Sequence, residues 1–80
     1  MSEKEVIKKV EELGYEYKTS KQPHVFYLEK FNYDNEIVIC IDTKYKLISK
    51  HYKHNYTYVS FTFEEYHLVN ELLKTFKNKN

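Results

Sequence analysis

Apolar residues recur at helical spacing at both ends of the chain and follow strand-like patterns between them. The first helical set comprises Val6, Val10 and Leu13. Ser2 and Glu5 form a capping box ahead of this set, and Gly14 supplies the left-handed residue that commonly follows a helix. The pattern predicts a first helix over residues 3–13.

The second helical set lies near the end of the chain and comprises Phe63, Tyr66, Val69, Leu73 and Phe76. Thr62 and Glu65 form another capping box directly before it. The spacing predicts a second helix over residues 63–77.

Four segments between the helices have the β-branched and aromatic composition of strands, separated by turn residues. They are His24–Phe31, Glu36–Asp42, Lys46–Tyr52 and Tyr56–Phe61. Residues 15–22 are interpreted as a polar connector, partly extended through the alternation of Tyr15 and Tyr17. The predicted fold class is therefore α+β, in the order α-β-β-β-β-α, with a four-stranded antiparallel meander and both terminal helices packed on one sheet face.

The chain has 80 residues, which predicts a single domain over residues 1–80 with a small core. Nine Tyr and five Phe supply much of the apolar area, so we expect the protein to act from its exterior and not from a deep pocket. Cys40 is the only cysteine. No leader-like stretch opens the chain, and no apolar run is long enough to span a membrane. A cytoplasmic location, with no membrane contact, is the expectation.

Motifs for catalysis and for metal or phosphate binding are weak. The four histidines, His24, His51, His54 and His67, lack the spacing of a metal site. Cys40 lies in an apolar strand where a thiolate is poorly solvated, and a single glycine cannot build a phosphate-binding loop. We expect no enzyme activity, no cofactor and no metal.

Charge is distributed unevenly although the net charge is +1. Residues 1–43 contain nine acidic residues and six lysines, whereas residues 44–63 contain four lysines and no acidic residue. The predicted partner-binding residues in this basic, aromatic hairpin are Lys44, Lys46, Lys50, His51, Lys53, Tyr56 and Tyr58. Three interpretations are open: a surface for a protein with an acidic face, a nucleic-acid-binding face, or a solvated hairpin whose lysines protect the sheet edge. A homodimer through the edge of the last strand is also open.

Three segments carry a family resemblance: Glu12-Leu13-Gly14-Tyr15, Ile39-Cys40-Ile41-Asp42 with the nearby Ile48-Ser49-Lys50, and Ser60-Phe61-Thr62-Phe63-Glu64-Glu65. With these segments the chain resembles small uncharacterised proteins encoded by phages and prophages of Gram-positive bacteria. The resemblance implies a non-enzymatic accessory protein that binds and inhibits a host or bacterial-defence protein, for example a CRISPR component. A small nucleic-acid-binding module that uses the same hairpin is the alternative.

Overall fold

The computed structural model describes residues 2–33, 35–55 and 57–76. Its elements are helix α1 (Glu3–Glu12), strands β1 (Glu16–Thr19), β2 (Val25–Asn32), β3 (Asn35–Asp42) and β4 (Leu47–Tyr52), and helix α2 (Phe63–Phe76). The strands form one antiparallel sheet in the order β1-β2-β3-β4. The predicted α+β class and its α-β-β-β-β-α order are confirmed.

Local interactions explain where both helices begin. The Ser2 hydroxyl accepts a hydrogen bond from the Glu5 amide at 3.2 Å, and the Glu5 carboxylate interacts in return with the Ser2 backbone. The same reciprocal pair joins Thr62 and Glu65 at α2, with N-to-O distances of 2.9 and 3.1 Å. Both capping boxes satisfy amides that would otherwise lack partners, so the predicted helix starts are confirmed.

Two predicted segments differ from the structure. The predicted connector over residues 15–22 contains β1, which pairs with β2 along its whole length. Tyr17 of β1 packs against Phe26 of β2, with ring centroids 5.4 Å apart. The predicted strand Tyr56–Phe61 is wrong for its described part, where only Tyr58 forms an isolated bridge, opposite His51. The chain cannot continue this pairing because it turns into the α2 capping box at Thr62.

The core lies between one face of the sheet and the two helices. The strands contribute Phe26, Leu28, Ile37, Ile39 and Ile41, all buried. The helices contribute Val6, Val10, Leu68, Val69 and Leu72, which are also buried. Side chains alternate between faces along a strand, so the helix-covered face carries the even-numbered residues of β2 and β4 and the odd-numbered residues of β3 that oppose them. Both helices therefore pack on one face, as predicted.

The opposite face of the sheet is called the open face. The register places on it Glu16, Lys18, Val25, Tyr27, Glu29, Phe31, Glu36, Val38, Cys40, Asp42, Leu47, Ser49 and His51. Val38 in the middle of this face is buried, whereas Phe31 and Leu47 near its ends are exposed. None of the described helices has the length and apolar character needed to cross a membrane.

Candidate functional site

The structure distributes the predicted partner-binding residues over three places. Lys44 and Lys46 lie in the turn between β3 and β4, Lys50 lies under the helices, and His51, Lys53 and Tyr58 lie near the far end of β4. At ~3.3 Å per residue, Lys46 and Lys53 are separated by roughly 20 Å. Tyr56 lies outside the described residues. The predicted residues therefore do not form one continuous surface.

Lys50 must be removed from the predicted surface. Its register partner is Ile39, so its side chain lies on the helix-covered face, where it is 6% exposed. The Nζ atom donates to Glu65 Oε1 at 2.6 Å and to the Ser60 carbonyl at 3.0 Å. A cation enclosed in this way contributes to internal structure and cannot contact a partner.

Lys53 belongs to a network of opposite charges at one end of the open face. Its Nζ lies 3.4 Å from Glu36 Oε1 and 4.0 Å from Glu29 Oε1, while Lys18 Nζ lies 3.0 Å from the same Glu29 oxygen. Partial burial acts to raise the pKa of Glu29, but the two lysines outweigh it and the pKa is lowered. Lys53 is therefore largely neutralised by carboxylates of this chain.

The open face as a whole is not basic. Its register brings together four carboxylates, of Glu16, Glu29, Glu36 and Asp42, with the single strand lysine Lys18. Lys53, next to the end of β4, adds a second ammonium group. Carboxylates repel the phosphate backbone, so this distribution disfavours nucleic acid on the open face. The hairpin's own sequence could not reveal this, because the acidic residues come from neighbouring strands.

The turn between β3 and β4 is held by its own polar side chains. Asp42 Oδ1 accepts hydrogen bonds from the Lys44 and Tyr45 amides, both at 3.0 Å, which is the geometry of an Asx turn. Thr43 donates to the His24 carbonyl from its amide at 2.8 Å and from its hydroxyl at 3.0 Å. The two Asp42 bonds fix the shape of the turn, and the two Thr43 bonds hold it against the loop that precedes β2.

Residues 43–47 are called the β3–β4 tip, and four consecutive side chains of it are exposed. Lys44 and Lys46 supply two cations, while Tyr45 and Leu47 are 62% and 63% exposed. Lys44 Nζ lies 5.3 Å from the centroid of the Tyr45 ring, which restricts both side chains through a cation–π contact. The tip therefore presents positive charge and apolar area on a fixed turn.

Tyr45 and Leu47 are exposed residues of the tip that the sequence prediction omitted. Both lie between predicted lysines in the sequence, and the structure shows that both are exposed. Asn70 and Lys74 on α2 also border the tip. No local signal connects them with it, because they are separated from it by more than 20 positions of sequence.

Metal chemistry finds no support in residues 2–33, 35–55 and 57–76, which contain no cluster of three or more His, Cys, Asp or Glu side chains arranged to hold an ion. Burial raises the pKa of the Cys40 thiol, and the nearby Asp42 carboxylate acts in the same direction, which disfavours a reactive thiolate.

Comparison of the chain with protein-family models, with curated proteins and with solved structures gives no match. A functional assignment therefore depends on the surface of the chain itself.

Proposed function

We propose that this chain is a non-enzymatic accessory protein that binds a host or bacterial-defence protein in the cytoplasm and inhibits it through the β3–β4 tip. The observation that carries the proposal is the run of four exposed residues, Lys44 to Leu47, on a turn fixed by Asp42 and Thr43. A fixed turn loses little conformational entropy when it is bound, so its contacts contribute fully to affinity.

The chemistry of the tip specifies an acidic partner surface with an apolar centre. Tyr45 offers a large ring with few rotatable bonds, a side chain enriched among residues that dominate binding energy. Lys44 and Lys46 flank it and would steer the tip toward negative charge and accelerate association. The resemblance to phage and prophage proteins supports a host or defence protein as the source of that surface.

The nucleic-acid alternative has less support. His51, one of the residues on which that alternative depends, lies on the open face, which carries four carboxylates, and Tyr58 pairs with it. Lysines of the tip alone would neutralise few phosphates and would give only weak binding. A protein surface therefore fits the described charges better.

Affinity capture from a lysate of a Gram-positive host, followed by binding measurements with the purified partner, tests the proposal. The tip variant is Lys44→Glu/Lys46→Glu. The matched control is Lys4→Glu/Lys8→Glu, which makes the same charge change at exposed positions of α1. We expect the tip variant to weaken binding at least about tenfold, which corresponds to ~1.4 kcal/mol, and the control to leave affinity nearly unchanged.

A second measurement separates binding from inhibition. Wild-type protein should reduce the activity of the captured partner, and the tip variant should not. Equal affinities for the tip variant and the control would remove the tip from the mechanism. A mobility shift of DNA or RNA at low salt that is lost in the tip variant would replace the protein partner by nucleic acid.

A further inference from the structure

A groove separates the β3–β4 tip from the C-terminal half of α2. Its lining comprises Thr43, Lys46, Asn70, Leu73 and Lys74, and its volume is about 190 Å³. Lys46 directly precedes β4 and borders the groove together with Leu73 and Lys74 of α2, whereas Leu47 lies on the open face. Lys46 therefore lies on the α2 side of the tip.

The groove contains positive charge that the described residues compensate only weakly. Lys46 forms no ion pair with any described carboxylate, and Lys74 Nζ lies 4.0 Å from the nearest oxygen of Glu71, at the limit of an ion pair. Both lysines line the same small groove, so its lining carries positive charge that would attract an anion, although the Lys74 side chain is 77% exposed.

The backbone of Lys46 adds an independent observation. Its φ angle is +57°, in the left-handed region that favours glycine and asparagine. A lysine at this position is unfavourable for the turn itself, and residues held in such conformations concentrate at binding sites. The conformation here places a flexible cation at the edge of the groove.

The size and lining of the groove define what it can hold. Small-molecule sites usually have volumes of ~300–1,000 Å³, so 190 Å³ suits a single side chain. Leu73 supplies an apolar contact for methylene groups, while the lysines supply hydrogen bonds to a carboxylate. We infer that the groove receives the carboxylate side chain of a glutamate or aspartate on the partner protein, an inference that rests on the proposed function.

Titration of the isotope-labelled protein by NMR with N-acetyl-glutamate N-methylamide tests the groove directly. The neutral glutamine analogue and inorganic phosphate serve as comparison probes. We expect saturable shifts of the Thr43, Lys46 and Asn70 amides with a dissociation constant of about 1 mM, and at least threefold weaker binding of the glutamine analogue. Phosphate binding equal to or tighter than that of the glutamate probe would overturn the assignment to a carboxylate side chain.

Variants define the position of the probe. Lys46→Gln and Lys74→Gln should each weaken binding of the glutamate probe at least threefold, whereas Lys44→Gln, on the same tip but outside the groove, should leave it unchanged. Thermal unfolding followed by circular dichroism checks that all three variants are folded. Similar losses in all three, or shifts distributed over exposed lysines such as Lys8, would overturn the site.

Lys74 distinguishes this inference from the proposed function because it belongs to α2 and not to the tip. Weaker partner binding by Lys74→Gln supports the groove. If Lys44→Glu/Lys46→Glu abolishes partner binding while Lys74→Gln leaves it unchanged, the inference is overturned and the proposed function stands. The glutamate probe could bind the groove while Lys44→Glu/Lys46→Glu leaves partner binding unchanged. That result would overturn both the proposed function and the assignment of the bound carboxylate to a partner protein.

Discussion

Lys50 Nζ lies 2.6 Å from Glu65 Oε1, and both residues are buried, at 6% and 8% exposure. The pair joins the middle of β4 to the first turn of α2. The Ser60 carbonyl accepts a second bond from Lys50, the Thr62 amide donates to Glu65, and the Tyr15 hydroxyl donates to the other oxygen of Glu65. A buried ion pair of this kind is tolerated because additional hydrogen bonds satisfy both charges.

Breaking this pair should destabilise the fold strongly. Lys50→Met leaves the Glu65 carboxylate buried without its cation, and we expect the free energy of unfolding to fall by about 3–5 kcal/mol. Urea denaturation followed by circular dichroism measures the change. The exposed counterpart Lys53→Met should cost no more than about 1 kcal/mol, because Lys53 is about half exposed.

A double-mutant cycle separates the interaction between the two residues from the effect of each substitution alone. The cycle combines Lys50→Met with Glu65→Met and should give a coupling energy of about 1–3 kcal/mol. Equal losses for Lys50→Met and Lys53→Met, or a coupling energy near zero, would show that the buried pair does not stabilise the fold.

Glu65 should make the fold sensitive to acid. Burial acts to raise its pKa, but hydrogen bonds from Lys50, the Thr62 amide and Tyr15 outweigh burial and lower the pKa below its ordinary value of 4.5. A lowered pKa contributes stability above about pH 4.5 that is lost as the pH falls through the folded-state pKa. Unfolding free energies measured between about pH 7 and pH 3 should decline less steeply for Glu65→Gln than for wild type, and parallel profiles would contradict the prediction.

Tyr15 should give the opposite dependence at high pH. Burial, followed by the hydrogen bond to Glu65 and its charge, raises the pKa of Tyr15 well above the ordinary value of 10.0. The unfolded chain therefore releases this proton first, so stability is complete below about pH 10 and declines above it. Tyr15→Phe should cost about 1–3 kcal/mol at neutral pH and should flatten the alkaline decline. An unchanged alkaline profile in Tyr15→Phe would assign that decline to other groups.

Lys46→Asn should stabilise the free protein. Asparagine adopts the left-handed conformation more readily than lysine does, and relief of this strain is expected to raise the free energy of unfolding by about 0.5–1 kcal/mol. Chemical denaturation measures the gain. Lys44→Asn is the matched control, because Lys44 does not have a positive φ, and a similar gain there would point to reduced charge repulsion instead of backbone strain.

The helices and the two hairpins from β2 to β4 could be predicted from sequence because their signals are local. Each capping box spans four residues, and the apolar pattern of β3 requires burial on both faces wherever the strand lies. β1 escaped prediction as a strand because its four residues are mostly exposed and only its pairing with β2 defines it. The described part of Tyr56–Phe61 has strand composition, but the approaching helix start limits it to one bridge.

The candidate site was predictable only in part, because charge can be read along the chain but the packing of α2 and the register between strands cannot. Charge along the chain identified Lys44 and Lys46 but could not separate them from Lys50, whose partner Glu65 is 15 residues away in a helix. Alternation placed Lys50 on the same face as Ile48, and only the packing of α2 shows that this face is the covered one. The acidic character of the open face likewise arises from register between strands, which residue order does not specify.

The bridge opposite His51 also limits how copies of this molecule can associate. The Tyr52 amide donates to the Thr57 carbonyl and the Val59 amide donates to the Lys50 carbonyl, so the outer side of β4 is already occupied at two points. Along the described chain, only β1 keeps a continuous row of backbone groups for an added strand. When the β1 strands of two molecules pair with each other, neither molecule has another edge that can accept a strand. Two molecules could therefore join through β1, but an open-ended fibre could not grow.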